Sequence, residues 1–215
     1  AKWNAPTKEH TNDPRLQSAI KIEKIFHKGN NPSSAILSHL ESHPANLIVL
    51  ATHQLGGHPF FPSVSEPVAR KSHTITLFIP KGTKGFVSPE DGTLQLQKIL
   101  IPIDHDPHPG LAFHALMTLL NVLDCKAATI TVLYLGEKDN MPKYVSPQRN
   151  IDTWHNVAYH EEVVEGILQT EQKTGADLIL MPTQGHQGFL DALRGSTTER
   201  IVRKARCPVL AVPIN

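Results

Sequence analysis

Three histidines stand where metal chemistry would need them. His105 and His108 flank Asp106-Pro107, and His186 lies in a glycine-containing stretch much further along. Three imidazoles suit zinc or another divalent metal if the loops that carry them meet. The same residues also suit solvated polar turns, and Pro107 and Pro109 stiffen the first of the two segments. Other constellations fall short of a reaction. The chain has no GxxxxGK[ST] and no GxSxG, and His160-Glu-Glu-Val-Val164 lacks the second histidine of a zinc-protease helix. Glu161 and Glu162 fit a helix start, where acids favour the dipole. Gly185 and Gly195 permit turns, while Ser196-x-x-Glu199 and Ser63-x-x-Glu66 read as capping boxes. Cys125 and Cys207 form neither a CxxC pair nor a disulfide framework, so a reducing cytoplasm is expected. No catalytic set emerges, and the chain is not expected to be an enzyme.

The elements that must carry these residues alternate. Leu47 to Leu50, Ile99 to Ile101, Ile130 to Leu135, Leu178 to Met181 and Val209 to Val212 are apolar runs without polar alternation. Such runs suit parallel strands covered on both faces. Residues 110–123 place Leu111, Ala115, Leu116, Leu119, Leu120 and Leu123 on one helical stripe, and 162–173 do so with Val163, Val164, Ile167 and Leu168. The alternation predicts an α/β fold. Composition agrees: 40% hydrophobic and 19% charged residues among 215 can bury a core, which disfavours wholesale disorder. A formal net charge of +1 argues against a nucleic-acid binder. No apolar run approaches the roughly 18 residues of a membrane span, and no membrane role is expected.

The chain also repeats itself. Ala45-Asn-Leu-Ile-Val-Leu-Ala-Thr52 matches Ala176-Asp-Leu-Ile-Leu-Met-Pro-Thr183 at a shift of 131, as do Ile36-Leu37 and Ile167-Leu168. Ser63-Val-Ser-Glu66 matches Ser196-Thr-Thr-Glu199, and Leu77-Phe-Ile-Pro80 matches Leu210-Ala-Val-Pro213, both at a shift of 133. Two copies of one α/β unit are therefore expected. The second, 97–215, is complete. The first, 1–80, is partial, because about 20 residues ahead of its matching portion cannot hold a βαβ unit of roughly 30. Residues 81–96, rich in Gly, Pro and turn formers, read as the linker.

Lys98-Ile-Leu-Ile-Pro-Ile-Asp104 with Pro107 resembles the opening strand and turn of a universal stress protein domain. Ala176 to Met181, Gly185 to Ser196 and Cys207-Pro-Val-Leu-Ala-Val-Pro213 resemble its closing half. The resemblance implies an open parallel five-stranded sheet with helices on both faces (adenine-nucleotide alpha-hydrolase-like), in tandem with a partial first copy. It also implies intramolecular pairing of the copies and a homodimer through sheet-edge strands. The implied function is a noncatalytic, stress-response regulatory or binding protein. An ATP- or AMP-binding switch is a second reading, and a divalent-metal-binding protein using the histidine loops is a third.

Nucleotide-binding members of that family carry Gly-x-x-Gly-x9-Gly-Ser/Thr, whose glycines let backbone N–H groups approach phosphate. Gly185, Gly195 and Ser196 match its second half, whereas Pro182, with fixed φ and no N–H, replaces the first glycine. Asp104 matches the acid that holds ribose hydroxyls, and Leu135 the position whose backbone reads adenine. ATP is the cofactor so implied. The family's strand order would also bring the loops of His105, His108 and His186 side by side. In the first copy the loop from Ala51-Thr-His-Gln54 to Pro62-Ser63 is shortened and lacks the matching glycines, so no nucleotide is expected there.

Overall fold

The structure is a computed structural model that describes residues 23–27, 30–52, 64–83, 85–88, 90–125, 127–145, 152–157, 162–184 and 197–214. Two elements of the first copy frame a short strand: α1 (Pro32–Ser42), β1 (Ile48–Thr52), α2 (Ser65–Ser72) and then β2 (Thr76–Pro80). The second copy runs β3 (Lys98–Ile103), α3 (Gly110–Val122), β4 (Thr129–Tyr134), β5 (Asp152–Val157), α4 (Val163–Thr174), β6 (Leu178–Gln184), α5 (Thr197–Lys204) and β7 (Val209–Ile214). All seven strands share one sheet in the order β1-β2-β7-β6-β3-β4-β5. The second copy supplies the expected five parallel strands, and the first adds two more.

The join between the copies is antiparallel. Thr76, Leu77 and Phe78 of β2 pair with Ala211, Leu210 and Val209 of β7. Under the repeat shift of 133, Leu77 is the equivalent of Leu210, and the pairs on either side exchange places. The two copies therefore meet about a pseudo-two-fold axis through the Leu77–Leu210 pair. Helix bounds obey the same repeat: α1 begins 131 residues before α4, and buried Val68 of α2 is the counterpart of buried Ile201 of α5.

Two apolar layers sandwich the sheet. On one face α3 buries Ala112, Phe113, Ala115, Leu116 and Leu120 against Ile99, Ile101, Ile130, Val132, Leu178, Leu180, Leu77 and Leu210. On the other, α4 and α5 pack Val164, Ile167, Leu168 and Ile201 against Leu100, Leu133, Ile179, Val209 and Phe78. Helices thus cover both faces. The expected stripes face the core except at their first residues, Leu111 and Val163, which are 45% and 46% exposed. Each stands at a helix start, where the chain has not yet turned onto the sheet.

Some local signals act as their chemistry dictates. Asn31 caps α1 by accepting the Ser34 N–H at 3.1 Å, with Pro32 in the first turn. Val64 occupies the N-cap of α2, while Ser63 and Ser196 of the expected capping boxes lie outside the described residues. Residues 81–96 are more than a tether. Val87 and Leu94 form an antiparallel bridge, and Phe86 and Leu96 enter the α3-side core.

The central pair yields a test. Leu77→Ala and Leu210→Ala should each cost about 2–5 kcal/mol of stability by urea unfolding. The double variant should depart from additivity by at least about 0.5 kcal/mol, because the two side chains share one core. Two separated unfolding transitions in the unmodified chain would contradict a single sheet.

Candidate functional site

Strand order dictates where a ligand can enter. β3 lies between β4 and β6; the helix that follows β3, α3, packs on one face of the sheet and the helix that follows β6, α5, on the other, which makes a topological switch point at the carboxyl ends of β3 and β6. The ladder between these strands holds at Ile99–Leu178 and Leu100–Ile179 and stops there. Ahead of it each strand has a buried proline, Pro102 and Pro182, which has no N–H to give a ladder. Continuing the register sets Asp104 level with Thr183 at the mouth of the crevice.

Asp104 is exposed directly after β3, and its Oδ1 accepts the His105 N–H at 2.7 Å. Leu135, half-buried, follows β4 on the same edge. Gly136 comes next, and a Cβ there would lie 2.7 Å from the ring of buried Tyr134, so this position takes no side chain without displacing that ring. Pro182 sits in the interior of β6, in register with Val212. Gly185, Gly195, Ser196 and His186 lie outside the described residues.

The two described histidines are not brought to one centre. His105 donates through Nε2 to the Asn140 carbonyl at 2.7 Å and meets the Tyr134 ring edge-on, which ties the turn after β3 to the segment after β4. His108 accepts the N–H of Gly110, the first residue of α3, on Nδ1 at 3.1 Å. Among the described residues no group of three or more His, Cys, Asp or Glu could hold a metal ion.

Sequence reasoning overlooked the threonines. Thr183 near the end of β6 is buried, and its Oγ1 has no hydrogen-bond partner among the described residues; Thr52 at the end of β1 repeats both properties. They are equivalent under the shift of 131, so the repeat itself contained the signal. A buried hydroxyl without a partner is uncommon and often marks a place where a ligand or ordered water completes the bonding.

At the opposite edge of the sheet the polar groups brace the strands. Asp177 Oδ2 accepts the N–H groups of Gln97 and Lys98 at 2.9 and 2.8 Å, clamping the start of β3 to β6. Glu171, 3% exposed on α4, accepts the N–H groups of Arg206 and Cys207 through Oε1 and so shapes the entry to β7. Burial pushes the Cys207 thiol far above the ordinary cysteine range, and the Glu171 charge adds to the shift. A thiol held protonated is a poor nucleophile.

An open α/β sheet with a crevice at its switch point is the class these features define. Residues 148–213 match the model of the Universal stress protein family. A 61-residue stretch is 43% identical to Universal stress protein MJ0531 of Methanocaldococcus jannaschii, covering 26% of this chain and 36% of that protein, so the match spans about a third of the curated relative. The fold resembles the crystal structure of a universal stress protein from Archaeoglobus fulgidus at a TM-score of 0.62 and 18% identity, over 96% of this chain and 76% of that one. A functionally unknown protein, PA1789, from Pseudomonas aeruginosa gives 0.58 and 13%, over 99% and 79%. The C-terminal part of the chain thus matches that family's model, and the sheet as a whole has the fold of a solved universal stress protein.

Thiol labelling checks the amino-edge geometry. With an aromatic disulfide reagent at pH 8, Cys207 should stay unmodified in the native chain and react once denaturant unfolds it. Half-buried Cys125 should react first. Rapid native labelling of Cys207 would contradict its burial beside Glu171.

Proposed function

We propose that this chain is a noncatalytic, stress-response regulatory or binding protein of the universal stress type, whose ligand crevice has a degenerate ATP-type loop. The single observation that carries the reading is the switch-point crevice, with Asp104 exposed at its mouth and the unpartnered Thr183 hydroxyl at the end of the neighbouring strand. Its described polar groups hold the backbone: Asp104 binds the His105 N–H, His105 the Asn140 carbonyl, and His108 the Gly110 N–H. Groups used in this way orient loops, and a bound molecule would act by ordering them.

The nucleotide is ATP or AMP, with Asp104 toward the ribose, the backbone at Leu135 toward adenine, and Gly185, Gly195 and Ser196 toward phosphate. Pro182 limits affinity, because a proline can neither donate an N–H nor take a glycine's conformations. Calorimetry of the intact chain with ATP should find weak binding. Pro182→Gly should strengthen it by up to about one order of magnitude, the worth of one recovered hydrogen bond, and Asp104→Asn should weaken it. Absence of binding both before and after Pro182→Gly would make the protein a nucleotide-independent regulator.

The partner is a second copy, joined through a sheet edge. Both sides of β7 are taken, by β6 and β2, so the edges open to another chain are β1 and β5. β1 is the better suited, since Ile48-Val-Leu-Ala-Thr52 has no charge or proline to block edge pairing, and Val49 is 53% exposed. Native mass spectrometry of the intact chain should find a dimer that Val49→Lys returns to monomer. A monomer for the unmodified chain at micromolar concentration would refute it.

A further inference from the structure

The seam between the two copies contains a second cleft, at the sheet edge opposite Asp104. Because β2 runs antiparallel to β7, the residues that leave β2 lie beside those that enter β7. Lys81, Gly82, Thr83 and Gly85 come from the first side, Ala176–Asp177 and Arg206–Pro208 from the second, and together they line a cleft of about 420 Å³.

Its charge is uneven. Lys81 and Arg206 are both exposed, and neither has an ion-pair partner among the described residues. Asp177 is the acid of the lining, and its Oδ2 already accepts two backbone N–H groups from Gln97 and Lys98. Glu171 lies behind the wall with Oε1 committed to the Arg206 and Cys207 N–H groups. The Gly82 backbone adopts φ +87°, and a Cβ added there would meet nothing within 4 Å, so a ligand can approach the main chain. Thr83 gives its hydroxyl hydrogen to the Pro80 carbonyl at 2.8 Å, which leaves the two cations and the Gly82 amide as the donors.

The pseudo-two-fold axis supplies an internal control. Under the shift of 133, Lys81 corresponds to Ile214 and Arg206 to His73, while Asp177 corresponds under the shift of 131 to Asn46. The mate of the cleft on the other side of the axis therefore has neither Lys nor Arg at these places. The paired cations are not demanded by the repeat or by the packing it conserves.

We infer that the seam cleft binds a phosphate dianion, free or as the phosphomonoester of a small metabolite, between Lys81 and Arg206. Two unpaired cations and an open main-chain amide suit a compact tetrahedral oxyanion, which accepts several hydrogen bonds at once. The cleft is large enough to take a small body attached to that group. A ligand here bridges the segment that leaves β2 and the segment that enters β7, so binding stabilises the seam itself. The inference is independent of the nucleotide reading, since Asp104 and Pro182 lie at the other edge.

The test is titration of the intact chain by calorimetry with inorganic phosphate and, separately, with glycerol 3-phosphate, against sodium chloride at matched ionic strength. Saturable binding should appear and should weaken by about tenfold or more in Lys81→Gln and in Arg206→Gln. Asp104→Asn should leave it unchanged. Both varied cations are exposed, and an unaltered ligand-free melting temperature will show that the variants fold. Preference for one probe identifies the source of the phosphate group. Equal affinity in the Gln variants, or no saturable binding by about 10 mM, would overturn the inference.

Discussion

The antiparallel pairing of β2 with β7 is the interaction on which the rest of this structure depends. A half-unit of two strands and two helices leaves apolar surface on both sheet faces and cannot cover it alone. Pairing puts Leu77 into the α3-side core and Phe78 into the α4–α5 side in a single step, since successive strand residues point to opposite faces. It also leaves β7 with a neighbour on each side, so that strand has no free edge. Every later feature of the seam follows from that choice of partner strand.

The same pairing sets the switch-point crevice and the seam cleft at opposite edges of the sheet. Parallel strands send all their carboxyl ends to one edge, and the switch point places the crevice of Asp104 and Thr183 there. Because β2 is reversed, its own carboxyl end falls at the opposite edge, beside the amino ends of β6 and β7. Lys81 and Arg206 thereby line one cleft across the seam. Two different ligand chemistries can thus occupy opposite edges of one sheet without sharing a residue.

The amino edge is also where buried polar groups do structural duty. Asp177 and Glu171 each accept two backbone N–H groups from another segment, which fixes the start of β3 relative to β6 and the entry to β7 relative to α4. Glu171 uses only Oε1 for this, and its buried Oε2 has no hydrogen-bond partner among the described residues. Cys207 is placed in that brace, and its protonated, buried thiol is a packing group.

Much of the fold was legible in local sequence. The apolar runs of β3, β4, β6 and β7 need burial on both faces, and the shifts of 131 and 133 exposed the repeat because each copy must bury equivalent positions such as Val68 and Ile201. The strand β5, Asp-Thr-Trp-His-Asn-Val, escaped that reading because an outermost strand has no need of a continuous apolar run. Of the candidate site, Asp104 and Leu135 could be set at strand ends from sequence. What His105 and His108 would bond could not, since Asn140 is 35 residues away from His105 and reaches it through the packing of the loops after β3 and β4. The repeat marks Thr52 and Thr183 as equivalent, but that their hydroxyls are buried, and that Lys81 and Arg206 line one cleft, was settled by tertiary structure. Periodicity records which side chains must leave water; it carries no record of which strand edges then meet, and the edges decide where polar groups converge.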